Sequence, residues 1–176
     1  MTFEAFADTL VPGERRCPED RAVAGAAEGG GAVVARAVDL LQLPEVGLVD
    51  ALHGLAQALN GHARTYAEER GLRLDPTVPE FVSLPFSDRT TVIRTLTATG
   101  HPEKEIWVVL AVFCTMAFDS AAHMPTEAAV AAGHPGLATV GFSAPDPDGL
   151  WRFSEHSYGR QLASLHPRTS PSGSPS

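Results

Sequence analysis

Lysine is almost missing from this chain. The sequence carries 13 basic residues against 21 acidic ones, the formal net charge is −8, and Lys104 is the single lysine. No run of basic residues occurs, which excludes a phosphate-neutralising surface and with it nucleic acid as an expected partner. Cysteine is scarce too: Cys17 stands in a polar stretch and Cys114 in an apolar one, so no disulfide framework is indicated and both read as reduced thiols. The longest apolar run, Ile106 to Phe118, is shorter than the roughly 18 residues that suggest a membrane span. It reads as a buried helix, and no membrane partner is expected.

Signatures of several chemistries are missing as well. The glycine cluster Gly29-Gly30-Gly31 lies inside a helical pattern with no strand before it, so it lacks the strand-turn-helix setting of a dinucleotide or phosphate loop. A close helix contact or a bend is the better reading, and no bound cofactor is expected. Asp146-Pro147-Asp148-Gly149-Leu150-Trp151 lacks the later ligands and distal glutamate of an EF-hand, and reads as a turn feeding a buried Trp151. Arg15-Arg16 imitates the start of a twin-arginine export signal. Glu19, Asp20, Arg21 and Glu28 interrupt the apolar stretch such a signal needs, so a cytoplasmic location is expected.

What remains is globular. With 44% hydrophobic and 19% charged residues over 176 positions, the chain suits one domain, burying roughly 70% of the surface its unfolded form exposes. That domain is expected over 1–166, with a disordered Ser/Pro/Gly tail over 167–176. Thr2 is placed to cap a first helix with Phe3, Phe6, Ala7 and Leu10 on one face, stopped by Pro12-Gly13. A second helix is expected to open at Asp20, weaken at the glycine cluster, resume through Val33, Val34, Val38 and Leu41, and end at Pro44. Val49, Leu52, Ala56, Leu59, Ala63 and Tyr66 alternate steps of three and four, which predicts a long amphipathic helix closed at Gly71. Leu72 to Phe86, with Pro76, Pro79 and Pro85, reads as an irregular surface connector. Ser87 and Asp88 then start a helix that turns Val92, Ile93 and Leu96 inward. After His101-Pro102-Glu103 comes a helix apolar on every side, and Thr126 caps a short alanine-rich one. The prediction is therefore all-α: an irregular helical bundle around a buried central helix at about 103–120, followed by a long C-terminal coil segment.

Candidate chemistry is sparse. Asp119 and His123 stand four apart, the one metal-like spacing, but two ligands do not make a site and no metal is expected. His156 with Glu155 could complete a cluster only if the C-terminal segment folds back. Ser154, Glu155, His156, Ser157, Tyr158 and Arg160 form the densest polar group, able to supply acid, base and anion-binding roles. The competing reading is structural: Trp151, Phe153 and Tyr158 pin the segment against the helical body while the polar groups satisfy its backbone. Ser87 and Cys114 are weaker nucleophile candidates, the first as a helix cap and the second because apolar surroundings raise a thiol pKa.

The segment Phe6-Ala7-Asp8-Thr9-Leu10-Val11-Pro12-Gly13 resembles the opening motif of the gluconate 2-dehydrogenase subunit 3 family, small helical subunits that accompany a large GMC-type flavoprotein holding the FAD. The resemblance implies an accessory or stabilising role beside a flavin-dependent oxidoreductase. The C-terminal PDPDGLWRFSEHSYGR is more similar to an actinobacterial branch than to the sugar-dehydrogenase subunits, and the lack of an export signal favours a cytoplasmic partner, as in specialised metabolism. No catalytic residue carries over from the motif. The alternative function is a cofactor-independent enzyme for a small, partly apolar metabolite, using His156 and Tyr158 against a wall of Trp107, Phe113, Met116 and Phe118. Catalytic candidates for that case are His156, Tyr158, Glu155, Asp119 and His123. A small-molecule ligand and a homo-oligomer stay open.

Overall fold

The computed structural model describes residues 1–142, which fall within one unit, Met1–Ser143. Among these residues the fold is all-α, with no strand. The helices are α1 (Thr2–Leu10), α2 (Ala37–Leu41), α3 (Leu52–Arg70), α4 (Glu80–Ser83), α5 (Phe86–Leu96), α6 (Lys104–Ser120), α7 (Thr126–Ala131) and α8 (Pro135–Thr139), with a 3-10 turn at Pro44–Val46. The C-terminal coil, expected to begin with the Gly/Pro-rich segment from Gly133, contains α8 in its described part, with Pro135 at the first helical position where proline is tolerated; its remainder, the packing of Trp151, Phe153 and Tyr158, and the tail over 167–176 lie outside the described residues.

The most enclosed element is α1. It packs against α2, α3, α4, α5 and α6, and its Thr2 and Ala5 to Thr9 are all buried. Small side chains at Ala5 and Ala7 let neighbouring helices approach, while Phe6 fills the centre against Trp107, ring centroids 6.3 Å apart. The α6 helix touches α1, α2, α5 and α8, as a central helix should. It nevertheless buries only one stripe, Trp107, Leu110, Cys114 and Ala117, and leaves Val109, Val112 and Met116 between 40% and 50% exposed. An apolar circumference permits burial on every side but does not compel it, because its neighbours α2 and α8 are only 5 residues each and too short to wrap a helix of 17.

Two segments differ from the sequence expectation. The helix expected from Asp20 is absent up to Arg36; only Ala37–Leu41 is helical. Gly25 and Gly29 adopt φ of 71° and 76°, which a helix cannot accommodate, and the backbone pairs instead with the end of α1, through Glu14 N–H to the Gly29 carbonyl (2.8 Å) and Ala32 N–H to the Val11 carbonyl (2.9 Å). Gly13 and Gly31 cross so closely that a Cβ on either would overlap the other strand of backbone. The glycine cluster thus permits a close approach, but between loops. The expected surface connector likewise contains α4, whose Phe81 and Val82 are buried, followed by buried Leu84. Pro79 and Pro85 do not break these helices; each occupies the residue just before one, where a missing N–H costs nothing.

The capping residues are shifted too. Thr2 and Thr126 are first helical residues and make no cap bond, and α5 begins at Phe86, ahead of Ser87. In α3, Val49 falls before the helix and is 46% exposed, while Leu59, Ala63 and Ala67 make the buried line.

A buried polar network ties the loop over 13–25 to the helices. Asp8 is 1% exposed and its carboxylate accepts from Ala24 N–H (2.8 Å) and Gly13 N–H (3.4 Å). Arg89, 4% exposed, donates to the carbonyls of Leu84 (2.9 Å), Ala22 (2.8 Å), Arg21 (3.1 Å) and Val82. Asp20 accepts from Ala22 and Val23 N–H and pairs with Arg16. The residues of the opening motif therefore have a structural duty: Asp8 and Gly13 close the first loop onto α1.

Candidate functional site

A cleft opens between the outer faces of α3 and α5, about 220 Å3 in volume, lined by His62, Tyr66 and Arg70 from α3, Thr91 and Leu96 from α5, and His101 from the turn before α6. Its floor is apolar, because Val92 and Leu96 face the core and are 3% and 2% exposed. Helical spacing brings His62 and Tyr66 onto one face of α3, four residues apart, with Arg70 a further turn on. The Arg70 guanidinium lies 4.1 Å from the centre of the Tyr66 ring. The Tyr66 hydroxyl donates to Asp88 Oδ1 at 2.7 Å, and that bond is the first cause of a phenol pKa raised above its ordinary value.

At one end of the cleft stands a histidine-carboxylate pair. His62 Nε2 lies 2.8 Å from Glu103 Oε2, and the same oxygen accepts the indole N–H of Trp107 at 3.0 Å. These two bonds, His62's the larger cause, hold the Glu103 carboxyl below the usual range, so it is ionised at neutral pH. The neighbouring backbone N–H of Glu103 donates to His101 Nδ1 at 3.2 Å. The His62 and His101 rings are 5.9 Å apart, and His62 meets the buried Trp107 edge-on at 6.0 Å. The arrangement can accept a proton, donate one, and seat a small apolar body against Val92 and Leu96.

Sequence reasoning did not find this site, since His62 and Glu103 are 41 residues apart and no periodicity links them. Its own candidates fall elsewhere. Glu155, His156 and Tyr158 lie outside the described residues. Asp119 is exposed in the last turn of α6, but the helix stops at Ser120 and Ala121 turns left-handed (φ 50°), so His123 lies beyond the helix and the shared-face geometry does not extend to it. His123 instead sits beside His134, ring centroids 5.9 Å apart. Both nitrogens of His123 and Nε2 of His134 are buried without a hydrogen-bond partner among the described residues, while His134 Nδ1 accepts from Leu137 N–H at the start of α8 (3.5 Å). Burial is the main reason the His123 pKa lies below its ordinary value.

Cys114 is fully buried, and burial pushes its thiol up to about 12; Ser87 is exposed in the first turn of α5. The proposed aromatic wall is dispersed: Trp107 is fully buried and Met116 is 41% exposed, on opposite sides of α6. Among the described residues no group of three or more His, Cys, Asp or Glu is placed to hold a metal ion. No described helix is long and apolar enough to cross a membrane.

Residues 1–176, the whole length of the chain, match a family described as a family of unknown function, DUF5987. The chain belongs to that family. No curated protein and no solved structure matches it. The motif-bearing first loop and the α3–α5 cleft are thus features of a DUF5987 member.

Proposed function

We propose that this protein is an accessory, stabilising partner of a cytoplasmic GMC-type flavin-dependent oxidoreductase, as in specialised metabolism. The observation that carries this reading is the opening segment Phe6 to Gly13, which resembles the start of the small subunits that accompany such flavoproteins. A second observation supports it. The exposed apolar line Val109, Val112 and Met116 on α6 runs over two turns of a long helix, and rigid apolar stripes of this type suit docking to another protein. The chain's charged residues after Arg15-Arg16 favour the cytoplasm as the setting.

In this role the protein supplies shape and apolar surface, and the partner supplies the flavin and the redox step. Asp8 and Gly13 act on the fold of the subunit, so their replacement should weaken the partnership only through stability. The test is to produce a GMC-type flavoprotein from the same genome with and without the chain, and to measure its soluble yield and flavin content. A clear rise in both on co-production is expected. Equal yield and flavin content in the two cases would overturn the reading.

A further inference from the structure

We propose that the α3–α5 cleft binds a small single-ring molecule bearing an acidic hydroxyl, of the phenol class, with His62 as the acceptor of that hydroxyl's hydrogen bond. This goes beyond the partner role and does not depend on it.

The assignment starts from Glu103. Its Oε2 is held between the Trp107 indole N–H at 3.0 Å and His62 Nε2 at 2.8 Å. A carboxylate offers only lone pairs, so a neutral His62 must carry its proton on Nε2 to make this bond. The lone pair is then on Nδ1, which has no hydrogen-bond partner among the described residues. A histidine oriented in this way by an anchored carboxylate is a better acceptor than a free one, because the tautomer is fixed and the positive charge developing on the ring is compensated. Trp107 makes the anchor rigid, being fully buried in the core.

His101 is fixed in the complementary sense. Its Nδ1 accepts the Glu103 backbone N–H, which leaves the proton of the neutral ring on Nε2 as a donor. One end of the cleft therefore offers an acceptor and a donor from two rings 5.9 Å apart, a pair suited to a hydroxyl that donates to one ring and accepts from the other. The rest of the cleft favours an uncharged ring. Its floor is Val92 and Leu96, and the hydroxyls of Thr91 and Thr95 are turned to their own helix, donating to the Ser87 and Thr91 carbonyls at 3.0 Å each. Glu69 and Arg70 both line the cleft, so neither sign of charge dominates. A volume of about 220 Å3 is below the roughly 300–1,000 Å3 of drug-sized sites and fits one ring.

Phenol is the probe, and methoxybenzene, of similar shape but without the hydroxyl proton, is its control. Nitrogen-detected histidine NMR on the full chain should first show His62 as the Nε2–H tautomer. Phenol should then shift His62 Nδ1 and the amides of Thr91 and Thr95, and bind about tenfold more tightly than methoxybenzene, the size of one good hydrogen bond. In H62K, whose ammonium keeps a donor for Glu103 but offers no acceptor, the two ligands should bind alike, with an unchanged amide spectrum elsewhere showing that the fold is intact. Equal affinity for the two ligands in the unmodified chain, or no shift at His62, Thr91 or Thr95 at the solubility limit of phenol, would overturn the proposal.

Discussion

Two regions of this bundle bury polar groups in opposite ways. Around the first loop, each buried charged group is met: Asp8 by two backbone N–H groups, Arg89 by four carbonyls, Asp20 by Arg16 and two N–H groups. Around α7 and α8, where α8 packs on α6 and α7 on α8, three buried imidazole nitrogens of His123 and His134 meet no partner among the described residues. A satisfied network adds rigidity, whereas an unsatisfied polar atom costs about 1–3 kcal/mol. The first loop should therefore open only with the whole fold, and the α7–α8 region should open by itself. Its own apolar cluster is small: among the described residues only Ala121, Ala129 and Leu137 are buried in it.

The largest effect is expected from Arg89→Met, which keeps the apolar stem but orphans the carbonyls of Ala22, Arg21, Val82 and Leu84. At about 1–3 kcal/mol for each buried group left unsatisfied, urea denaturation should show a loss of roughly 4 kcal/mol or more, a large part of a typical domain's stability. A loss under 1 kcal/mol would mean that the loop is not held by this side chain. Gly136→Ala is the matching break in the α7–α8 region. Its Cβ would overlap the Phe118 carbonyl oxygen, so α8 must lift. Hydrogen exchange should show amides of 126–139 losing protection while those of α1 and α3 keep theirs; uniform loss in all helices would contradict two separately opening regions.

Asp8→Asn comes next. An amide presents only one acceptor oxygen where the carboxylate serves both Gly13 and Ala24 N–H, so a loss of about 1–3 kcal/mol is expected in thermal melts. Burial raises the Asp8 pKa, and the neutral amide relieves part of that strain, which is why the loss is smaller than for Arg89.

These pairings were not legible in the sequence, although much of the fold was. The alternation of Leu52, Leu59, Ala63 and Tyr66 identified α3, and the run from Ile106 identified α6, because both signals are local and periodic. The loop over 20–36 looked helical because its apolar residues keep a helical spacing; what prevents the helix is long-range, the crossing of Gly13 and Gly31 and the capture of the Ala22 carbonyl by Arg89 at 67 residues' distance. The cleft is hidden for the same reason. His62 reads as a polar residue on the flank of α3 and Glu103 as an acid at a helix start, and only tertiary packing through Trp107 joins them. The catalytic candidates around His156 rest on local polar density, which takes no account of burial or of what faces them.

The smallest expected effect concerns pH. His123 has its pKa lowered from 6.5, so the folded α7–α8 region prefers the neutral ring. Its packing is fully present above pH 6.5 and weakens as pH falls from 6.5 through the lowered folded value, where the unfolded chain takes up the proton first. Asp20 behaves differently. Held at about 2 by Arg16, below its ordinary 3.8, it contributes stability that is complete above 3.8 and is lost only as pH falls toward 2. Acid titration followed by tryptophan-independent NMR signals should show Ala129 and Leu137 responding below pH 6.5 while Ala22 and Val23 stay unchanged to about pH 4. Replacing His123 with Leu should flatten the first response and change stability by no more than about 1 kcal/mol; an undiminished response would place its origin elsewhere.

The proposed partnership joins the resemblance of the opening segment to the exposed apolar face of α6, and one measurement bears on it most directly: co-purification of a GMC-type flavoprotein from the same genome with the intact chain and with a Val109→Glu, Val112→Glu double variant. Both positions are exposed, so the variant should fold, melt and exchange like the parent. The account predicts that the parent retains the flavoprotein at near one-to-one stoichiometry and that the variant loses it. Retention by the variant, or no retention by the parent, would contradict it.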